Sequence, residues 1–312
     1  MEIFKSTNYN FIGNRTKAFT FSGILLAATV ISLVLNRGLN LSIDFAGGTV
    51  VQLAFEKSVM DELSEIREIV NGLDLGKPEV KTIGAAGDNE IQITVKRRDL
   101  KGSGVADQIK KALAEQYAGN PFDLRREEKV GPRIGSELQG KAFIAGILSL
   151  LAIVIYIGIR FHFPFGIAAI VALFHDVLIT IGFFAAVDLI PGFEAEFSLP
   201  IVAALLTIIG YSLNDTIVVF DRIRENLGGS LARKSFEDKL NTSINQCLSR
   251  TAITSLTTFI VVLSVFITFL NSGNVIKDFS MALLVGVVVG TYSSVFVASP
   301  VLVLWNKKWP IR

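Results

Sequence analysis

Six long apolar stretches limit what this chain can fold into. Each is close to the roughly 20 residues that an α-helix needs to cross the hydrocarbon core of a bilayer. Of the 312 residues, 51% are hydrophobic, and the mean hydropathy of +0.52 is too high for an ordinary soluble protein. We therefore predict a six-span all-α membrane bundle with helices at 18–35, 142–159, 165–187, 199–220, 251–270 and 279–305.

The lysines and arginines beside these spans predict the orientation of the bundle. No small-x-small cleavage site follows the first span, so we expect a retained anchor rather than a signal peptide. If the segment 1–17 is cytoplasmic, most of the flanking positive charges lie on the inner side, and the two short outer loops hold only Lys277. The positive-inside rule then predicts that the tail 306–312 is cytoplasmic too.

A large segment between the first two spans, 36–141, has a different pattern. Alternating apolar residues predict strands at 49–55, 80–84, 90–96 and 122–130, and helical spacing recurs at 59–70 and 105–116. The resulting βαββαβ order is typical of a small ferredoxin-like α+β domain. We expect this inserted domain to be extracytoplasmic and to be non-catalytic, because it contains no histidine and its charges are scattered.

The inner segment 221–250 lies within the predicted bundle region 142–305 and has a helical pattern of its own. Apolar residues recur four positions apart, on one face of a helix, at Phe236, Leu240, Ile244 and Leu248. This pattern predicts an amphipathic helix that either lies on the membrane or packs under the bundle. Cys247 is the only cysteine, and we interpret it as a small apolar residue of that face.

Asp215 is the residue that most directly suggests a function. It lies inside the fourth apolar stretch, where a charged side chain costs about 2.5–3.5 kcal/mol on insertion scales. Such a cost favours a functional role, most simply the carriage of a proton or a cation. The alternative is a structural hydrogen bond between helices.

Four further residues are candidates for the same relay. Asn214 extends the polar stripe of the fourth span, and Arg250 begins the fifth span with Thr254 one turn along. Asp176 follows His175 near the middle of the third span. An arginine stabilises the charged form of a nearby acid, but Arg250 could instead be an interfacial anchor, and Asp176 could serve only to fix the bundle.

The composition excludes several classes of function. One cysteine and two histidines do not favour a metal centre. The sequence contains no GxxxxGK[ST] loop, so it does not predict ATP hydrolysis. The net charge of +2 without a basic cluster does not favour nucleic acid. An intramembrane aspartyl protease would pair Asp176 with Asp215, but neither lies in a GxGD-type motif. We therefore expect that the protein is not an enzyme and binds no cofactor. Its energy source would be a proton gradient, and a sodium gradient is left open.

Three motifs give the sequence a family resemblance. The run 211–225 (YSLNDTIVVFDRIRE) closely resembles the fourth-span signature of the SecF subunits in the SecD/SecF family of bacterial protein-export proteins. A DFxGG motif is matched by Asp44, Phe45, Gly47 and Gly48, and the run 130–138 (VGPRIGSEL), which includes Gly131 and Gly135, is similar to another family signature.

The resemblance implies a fold, a location and partners. The fold would be half of a resistance-nodulation-division (RND) transporter, in the bacterial cytoplasmic (inner) membrane. The partners would be a homologous six-span SecD subunit, the SecYEG translocon, the unfolded polypeptide in transit and membrane lipid. In this family, Asp215 and Arg250 would correspond to residues of the proton path.

The leading hypothesis is therefore an auxiliary subunit that uses the proton-motive force to promote late steps of protein export. In that hypothesis, protonation of Asp215 ends its pairing with Arg250. Two alternatives stay open: a scaffold or chaperone of the translocon without a motor function, and a subunit of a small-molecule exporter of the RND type.

Overall fold

The computed structural model describes residues 7–59, 62–76, 78–84, 87–96, 104–117, 119–190, 195–228, 231, 233–270 and 275–311. Six helical spans in these ranges are long and apolar enough to cross a membrane, which confirms the predicted number. They are α1 (Arg15–Leu35), α5 (Pro132–Arg160), α6 (Phe163–Val187), α7 (Leu199–Gly228), α8 (Phe236–Thr268), and a sixth formed by α9 (Val275–Ser293), a π-helical turn (Ser294–Ala298) and α10 (Ser299–Lys308).

Several helices are longer than the apolar stretches that predicted them. α5 begins ten residues before its predicted span, and α7 continues eight residues beyond its own. Hydropathy marks only the part of a helix that is apolar enough for lipid, whereas the backbone hydrogen bonds continue until a breaker residue interrupts them. α8 contains no glycine or proline over its 33 residues.

The amphipathic segment is consequently not a separate helix. It forms the first turns of α8, and its apolar face is buried against the bundle at Leu240, Ile244 and Cys247. Of the two interpretations that the sequence left open, the structure has the one in which the segment packs under the bundle. The segment before α1 contacts the same turns of α8, because Asn241 accepts a hydrogen bond from the Phe11 amide at 2.7 Å.

A small α+β unit, which runs from Gly48 to Val130, is inserted between α2 (Ile43–Ala46) and α5. It contains the predicted βαββαβ order, with β1 (Gly48–Phe55), α3 (Leu63–Asn71), β2 (Glu79–Ile83), β3 (Glu90–Val95), α4 (Val105–Gln116) and β4 (Phe122–Val130). The antiparallel sheet has the strand order β2-β3-β1-β4. One face of this sheet packs on α3 and α4 through fully buried side chains that include Leu53, Ile93, Ile66 and Leu113.

The bundle has a closely packed centre and two exposed helices. α6, α7 and the sixth span bury about half of their apolar stretch within the chain, whereas α5 and α8 bury little of theirs. Large apolar side chains such as Phe143 and Val261 are therefore exposed in the isolated chain. Helices that are apolar on all sides and yet exposed require lipid or another protein around them.

Candidate functional site

Asp215 lies on the inner face of α7 and is only 2% exposed. The Ser255 hydroxyl of α8 donates a hydrogen bond to its Oδ2 at 3.3 Å. The Thr291 hydroxyl of α9 donates in turn to the Ser255 hydroxyl at 2.6 Å. A chain of two hydroxyl groups therefore connects three helices at this carboxylate.

Sequence reasoning missed both of these hydroxyl groups. The sequence-based prediction used the polar face of α8 that contains Thr254, one residue away from Ser255. The available signal was the buried face of α8, where Thr251 and Ser255 recur four positions apart. Neither residue is charged, so neither signals its role without knowledge of the neighbouring helix.

Arg250 does not form the expected ion pair with Asp215. Both residues are described, yet no atoms of the two side chains lie within the 4.0 Å of an ion pair, and Arg250 is exposed. Because 3.6 residues complete a helical turn, Arg250 and Ser255 point about 140° apart around α8. The predicted direct pairing is thus wrong for this structure, although the guanidinium charge still acts on the carboxylate from a greater distance.

The other two predicted residues differ in their position relative to Asp215. Asn214 is exposed on α7. Thr254 is partly buried, and its side chain lies close to the Asp215 carboxylate. Its hydroxyl also donates to the backbone carbonyls of Arg250 and Thr251 at 3.1 and 2.9 Å. Asn214 and Arg250 therefore lie on the side of the α7–α8 pair that the chain itself leaves open, and Thr254 lies between that side and Asp215.

Asp176 forms a second, separate cluster and is 1% exposed. Its Oδ2 accepts hydrogen bonds from the hydroxyls of Ser212 on α7, at 2.5 Å, and Ser293 on α9, at 2.7 Å. Its Oδ1 lies 2.9 Å from Nδ1 of His175. The carboxylate thus has three polar partners on three helices.

His175 extends this cluster to the first span. Its Nε2 lies 3.0 Å from the Ser22 hydroxyl of α1. Ser22 lies 3.1 Å from the Tyr292 hydroxyl, which donates to the Ala18 carbonyl at 2.8 Å. The four helices that meet around Asp176 are therefore linked by side-chain hydrogen bonds.

Helix α9 contributes a hydroxyl to each cluster, Ser293 directly to Asp176 and Thr291 through Ser255 to Asp215, because it approaches α7 closely. A Cβ atom built at Gly286 would lie 2.2 Å from Ile208, and one at Gly290 would lie 2.9 Å from the Cβ of Ser212. Glycines four residues apart allow two helix backbones to approach each other in this way. Thr291 and Ser293 follow directly after this contact.

The family-motif glycines lie elsewhere, at the turn that joins α2 to the α+β unit. Gly47 and Gly48 have positive φ angles of 74° and 149°, which favour glycine. A Cβ atom at Gly48 would lie 2.3 Å from the Val95 carbonyl oxygen, and one at Gly135 would lie 2.8 Å from the Phe45 carbonyl oxygen. The two motifs therefore pack against each other. Nothing in the structure requires glycine at Gly131, which begins α5 in an ordinary extended conformation.

Asp44 of the same motif is bound to a different helix. Its Oδ2 accepts a hydrogen bond from the Leu199 amide, the first residue of α7, at 3.1 Å. A carboxylate at this position satisfies a helix N–H group that has no partner within the helix.

In the described part of the chain, no group of three potential metal-ligating residues occurs.

Together, the six apolar spans and the two buried carboxylates define a multi-pass membrane protein with ionisable groups inside its helical bundle. Comparison with known proteins shows which family of membrane proteins the chain resembles. The family described as "Protein export membrane protein SecD/SecF, C-terminal" matches residues 108–308, and the "SecD/SecF GG Motif" matches residues 32–59.

Full-length relatives and solved structures agree with these matches. The protein translocase subunit SecF of Calditerrivibrio nitroreducens is 43% identical over 97% of this chain and 96% of its own length. The subunit SecF of Vibrio alginolyticus is 41% identical over 90% of this chain and 85% of its own. The crystal structure of SecDF, a translocon-associated membrane protein from Thermus thermophilus, has a TM-score of 0.81 at 34% identity over 97% of this chain. This chain spans 39% of that solved chain. The chain belongs to the SecD/SecF family of protein-export membrane proteins.

Proposed function

We propose that this chain, an auxiliary subunit of the Sec protein translocase, uses the proton-motive force to promote late steps of protein export. Family membership supports the pathway. The observation that carries the mechanism is the environment of Asp215, a buried carboxylate with two neighbouring hydroxyl groups, those of Ser255 and Thr254, and without an ion-pair partner among the residues that the structure describes. A carboxylate with few fixed donors can change its protonation state at a lower cost than one that is held by several.

In the proposed mechanism, proton uptake reverses the hydrogen bonds at Asp215. As a carboxylate, Asp215 accepts from Ser255, which accepts from Thr291. Once protonated, Asp215 can donate to Ser255, and the two hydroxyl groups then donate in the opposite direction. This reversal changes the contacts by which α7 is held to α8 and α9.

The available energy matches a change of modest size. One proton that crosses a potential of 100 mV releases about 2.3 kcal/mol. That amount changes the ratio of two conformations by about fiftyfold. Arg250 would stabilise the charged form of Asp215 from beyond ion-pair distance, and Asn214 and Thr254 would line the path by which the proton arrives.

Asp176 has a different role in this proposal. Its three polar partners hold its charge in place and link α6 to α7 and α9. We propose that Asp176 fixes the centre of the bundle while α7 changes its contacts at Asp215. It would then be a structural residue rather than a part of the relay.

The exposed polar side of α7 and α8 is consistent with contact to a partner subunit. Asn214, Thr207 and Arg250 are all exposed in the isolated chain. Lipid offers no partners for such groups at membrane depth. We propose that the homologous subunit SecD covers this side. SecYEG, the polypeptide in transit and the surrounding lipid would complete the assembly, without nucleic acid.

The α+β unit would be the part that acts on the exported chain. We propose that it is a ferredoxin-like domain, on the basis of its βαββαβ order and its antiparallel strand order β2-β3-β1-β4. We also propose that it lies outside the bacterial inner membrane, with both termini cytoplasmic, in accordance with the distribution of lysine and arginine. Movement of α7 would then reach the emerging polypeptide. The comparisons do not favour a scaffold without a motor function or a small-molecule exporter.

The proposal is tested by export into inverted membrane vesicles that contain this chain and SecD. Wild type is compared with Asp215→Asn, and with Asp123→Asn on the exposed strand β4 as the matched control. We expect Asp215→Asn to lose only the part of export that depends on the proton gradient, and Asp123→Asn to retain it. A sodium gradient in place of the proton gradient identifies the coupling ion. Unchanged gradient-dependent export by Asp215→Asn would refute the mechanism.

A further inference from the structure

The α+β unit is connected to the bundle by a structured joint rather than by a loose linker. We define this joint as the segment 36–48, Lys96, the loop 195–198 and the first residues of α5 and α7. The Phe197 amide donates to the Asn40 carbonyl at 2.6 Å, and the Ser42 amide donates to the Phe197 carbonyl at 3.0 Å. The rings of Phe45 and Phe197 stack with their centroids 6.1 Å apart. The chain that enters the unit is thus bound to the loop that begins α7.

Asp44 connects the joint to the helix that contains Asp215. Its carboxylate accepts from the Leu199 amide at 3.1 Å and from the Ser42 hydroxyl at 3.2 Å. The negative charge is further stabilised by the partial positive charge of a helix N-terminus. α7 continues without a break from Leu199 to Asp215, a distance of about 24 Å at 1.5 Å per residue. Displacement of α7 at one end therefore reaches Asp44 at the other.

Lys96 connects the sheet to the same loop. It directly follows β3, and its Nζ lies 2.7 Å from Asn40 Oδ1, 3.2 Å from Glu79 Oε1 and 3.0 Å from Glu196 Oε1. The side chains of Lys96 and Glu196 are only 20% and 15% exposed. One ammonium group thus binds strand β2, the segment that enters the unit and the loop before α7.

The charges of this cluster stabilise each other despite their burial. Burial alone would lower the pKa of Lys96, but the carboxylates of Glu196 and Glu79 outweigh it and raise that pKa above its ordinary value. Burial alone would raise the pKa of Glu196, but Lys96 and the nearby Lys81 outweigh it and lower that pKa. Both partners therefore stay charged at neutral pH. A partly buried ion pair of this kind fixes an orientation better than it adds stability.

The close packing of the two glycine motifs leaves little freedom around these contacts. Gly135 of α5 lies directly against the Phe45 carbonyl, which also accepts from Gln139 at 2.8 Å. A rigid joint transmits displacement, whereas a flexible linker absorbs it. The joint therefore meets α5 and α7 on one side and β1 and β3 on the other.

We propose that this joint is the coupling element that transmits the displacement of α7 to the α+β unit, with Asp44 and Lys96 as its positioning residues. The inference rests on the proposed function, because it assumes that ion movement at Asp215 displaces α7. It predicts that ion movement and export can be separated. Variants of the joint should conduct ions and yet fail to use them.

The experiment measures two quantities in vesicles that contain this chain and SecD. The first is proton entry down an imposed gradient, and the second is gradient-dependent export of a secretory protein. Asp44→Asn and Lys96→Gln are compared with Asp123→Asn and Lys111→Gln, whose side chains are exposed in the same region. Lys96→Arg is included because it keeps the charge, and Asp215→Asn because it removes the proposed ion site.

We expect the two joint variants to keep proton entry within about twofold of wild type and to lose gradient-dependent export by about fivefold or more, the lower range of ordinary coupling between two sites. Lys96→Arg should retain most of this export. Export at the level of the controls would overturn the proposal, as would a loss of proton entry equal to that of Asp215→Asn. If Asp44→Asn does not accumulate, Lys96→Gln decides, since it lies outside the glycine turn. Failure of the proposed function is distinguishable, because Asp215→Asn would then behave like wild type.

Discussion

Replacement of Asp176 by alanine tests whether this residue holds the bundle or carries protons. In the structure its carboxylate has three polar partners, the hydroxyls of Ser212 and Ser293 and the ring of His175. Asp176→Ala removes all three contacts at a buried site. His175 keeps its contact with Ser22 and Ser293 its bond to the Gly290 carbonyl, whereas the Ser212 hydroxyl loses its acceptor. We expect a large loss of stability and little specific effect on proton movement.

The magnitude follows from the number of hydrogen bonds. Interhelical hydrogen bonds in membrane proteins contribute about 0.6 kcal/mol on average, whereas buried bonds to a charged group in water-soluble proteins contribute about 1.5–3 kcal/mol each. Three bonds near the lower value, together with the space left by the carboxyl group, lead to an expected loss of about 2–4 kcal/mol. For a chain of this size, such a loss corresponds to a decrease in the apparent Tm of about 3–6 °C.

The assay is thermal unfolding of the purified chain in detergent, measured for wild type, Asp176→Ala and the control Asp123→Ala. The control removes a carboxylate from an exposed position on β4, where a substitution changes stability by less than about 0.5 kcal/mol. Asp215→Ala is measured beside them, and it should lose less stability than Asp176→Ala because the hydrogen bond from Ser255 to Asp215 is long, at 3.3 Å, whereas those to Asp176 are 2.5 and 2.7 Å.

The opposite result would refute this reasoning. If Asp176→Ala unfolded within about 2 °C of wild type, its hydrogen bonds would not hold the bundle. If that stable variant also lost gradient-dependent export, Asp176 would belong to the relay. The division of roles between the two carboxylates would then be wrong.

Two further predictions concern helix packing and the joint. Gly286→Val should displace α9 from α7, since even a Cβ atom would lie 2.2 Å from Ile208; we expect a loss of about 1–3 kcal/mol in the same unfolding assay, and Gly23→Val, with open space around its Cβ position, should be neutral by comparison. The stability difference between wild type and Lys96→Gln should depend on pH. The lowered pKa of Glu196 contributes stability that is present above its ordinary value of 4.5 and is lost as the pH falls through the lowered pKa. The raised pKa of Lys96 contributes stability that is present below 10.5 and is lost as the pH rises through the raised pKa. Unfolding curves should therefore differ most between about pH 5 and 10, and a difference that did not change with pH would contradict the ion-pair account.

Local patterns were sufficient for most of the fold. The number of spans follows from hydropathy because a membrane helix must be long and apolar irrespective of its neighbours. The βαββαβ order follows from periodicity because Leu53 and Ile93 on the strands and Ile66 and Leu113 on the helices face one small core. The weakly patterned strand β4 is exposed along most of its length, which explains why its sequence carried so little signal.

The helix boundaries and the arrangement around Asp215 were less accessible. The first turns of α8 were predicted as a separate amphipathic element because hydropathy changes at the membrane surface while the helix itself does not. The pairing of Asp215 with Arg250 was expected from the polar stripes of the fourth and fifth spans and from the family resemblance. The structure instead places Ser255 beside the carboxylate, since the rotation of α8 directs Ser255 inward and Arg250 outward.

The sequence by itself determined the number of spans, the order of elements in the inserted unit and which spans contain an acidic residue, because each depends on residues that are close in the chain. Only the tertiary structure decided that Asp176 is held by Ser212 and Ser293 while Asp215 has Ser255 as its hydroxyl partner. The same holds for Asp44, whose partner Leu199 lies 155 residues away. Partners on other helices are selected by the depth, rotation and close approach of those helices, and no local pattern in the sequence specifies these quantities.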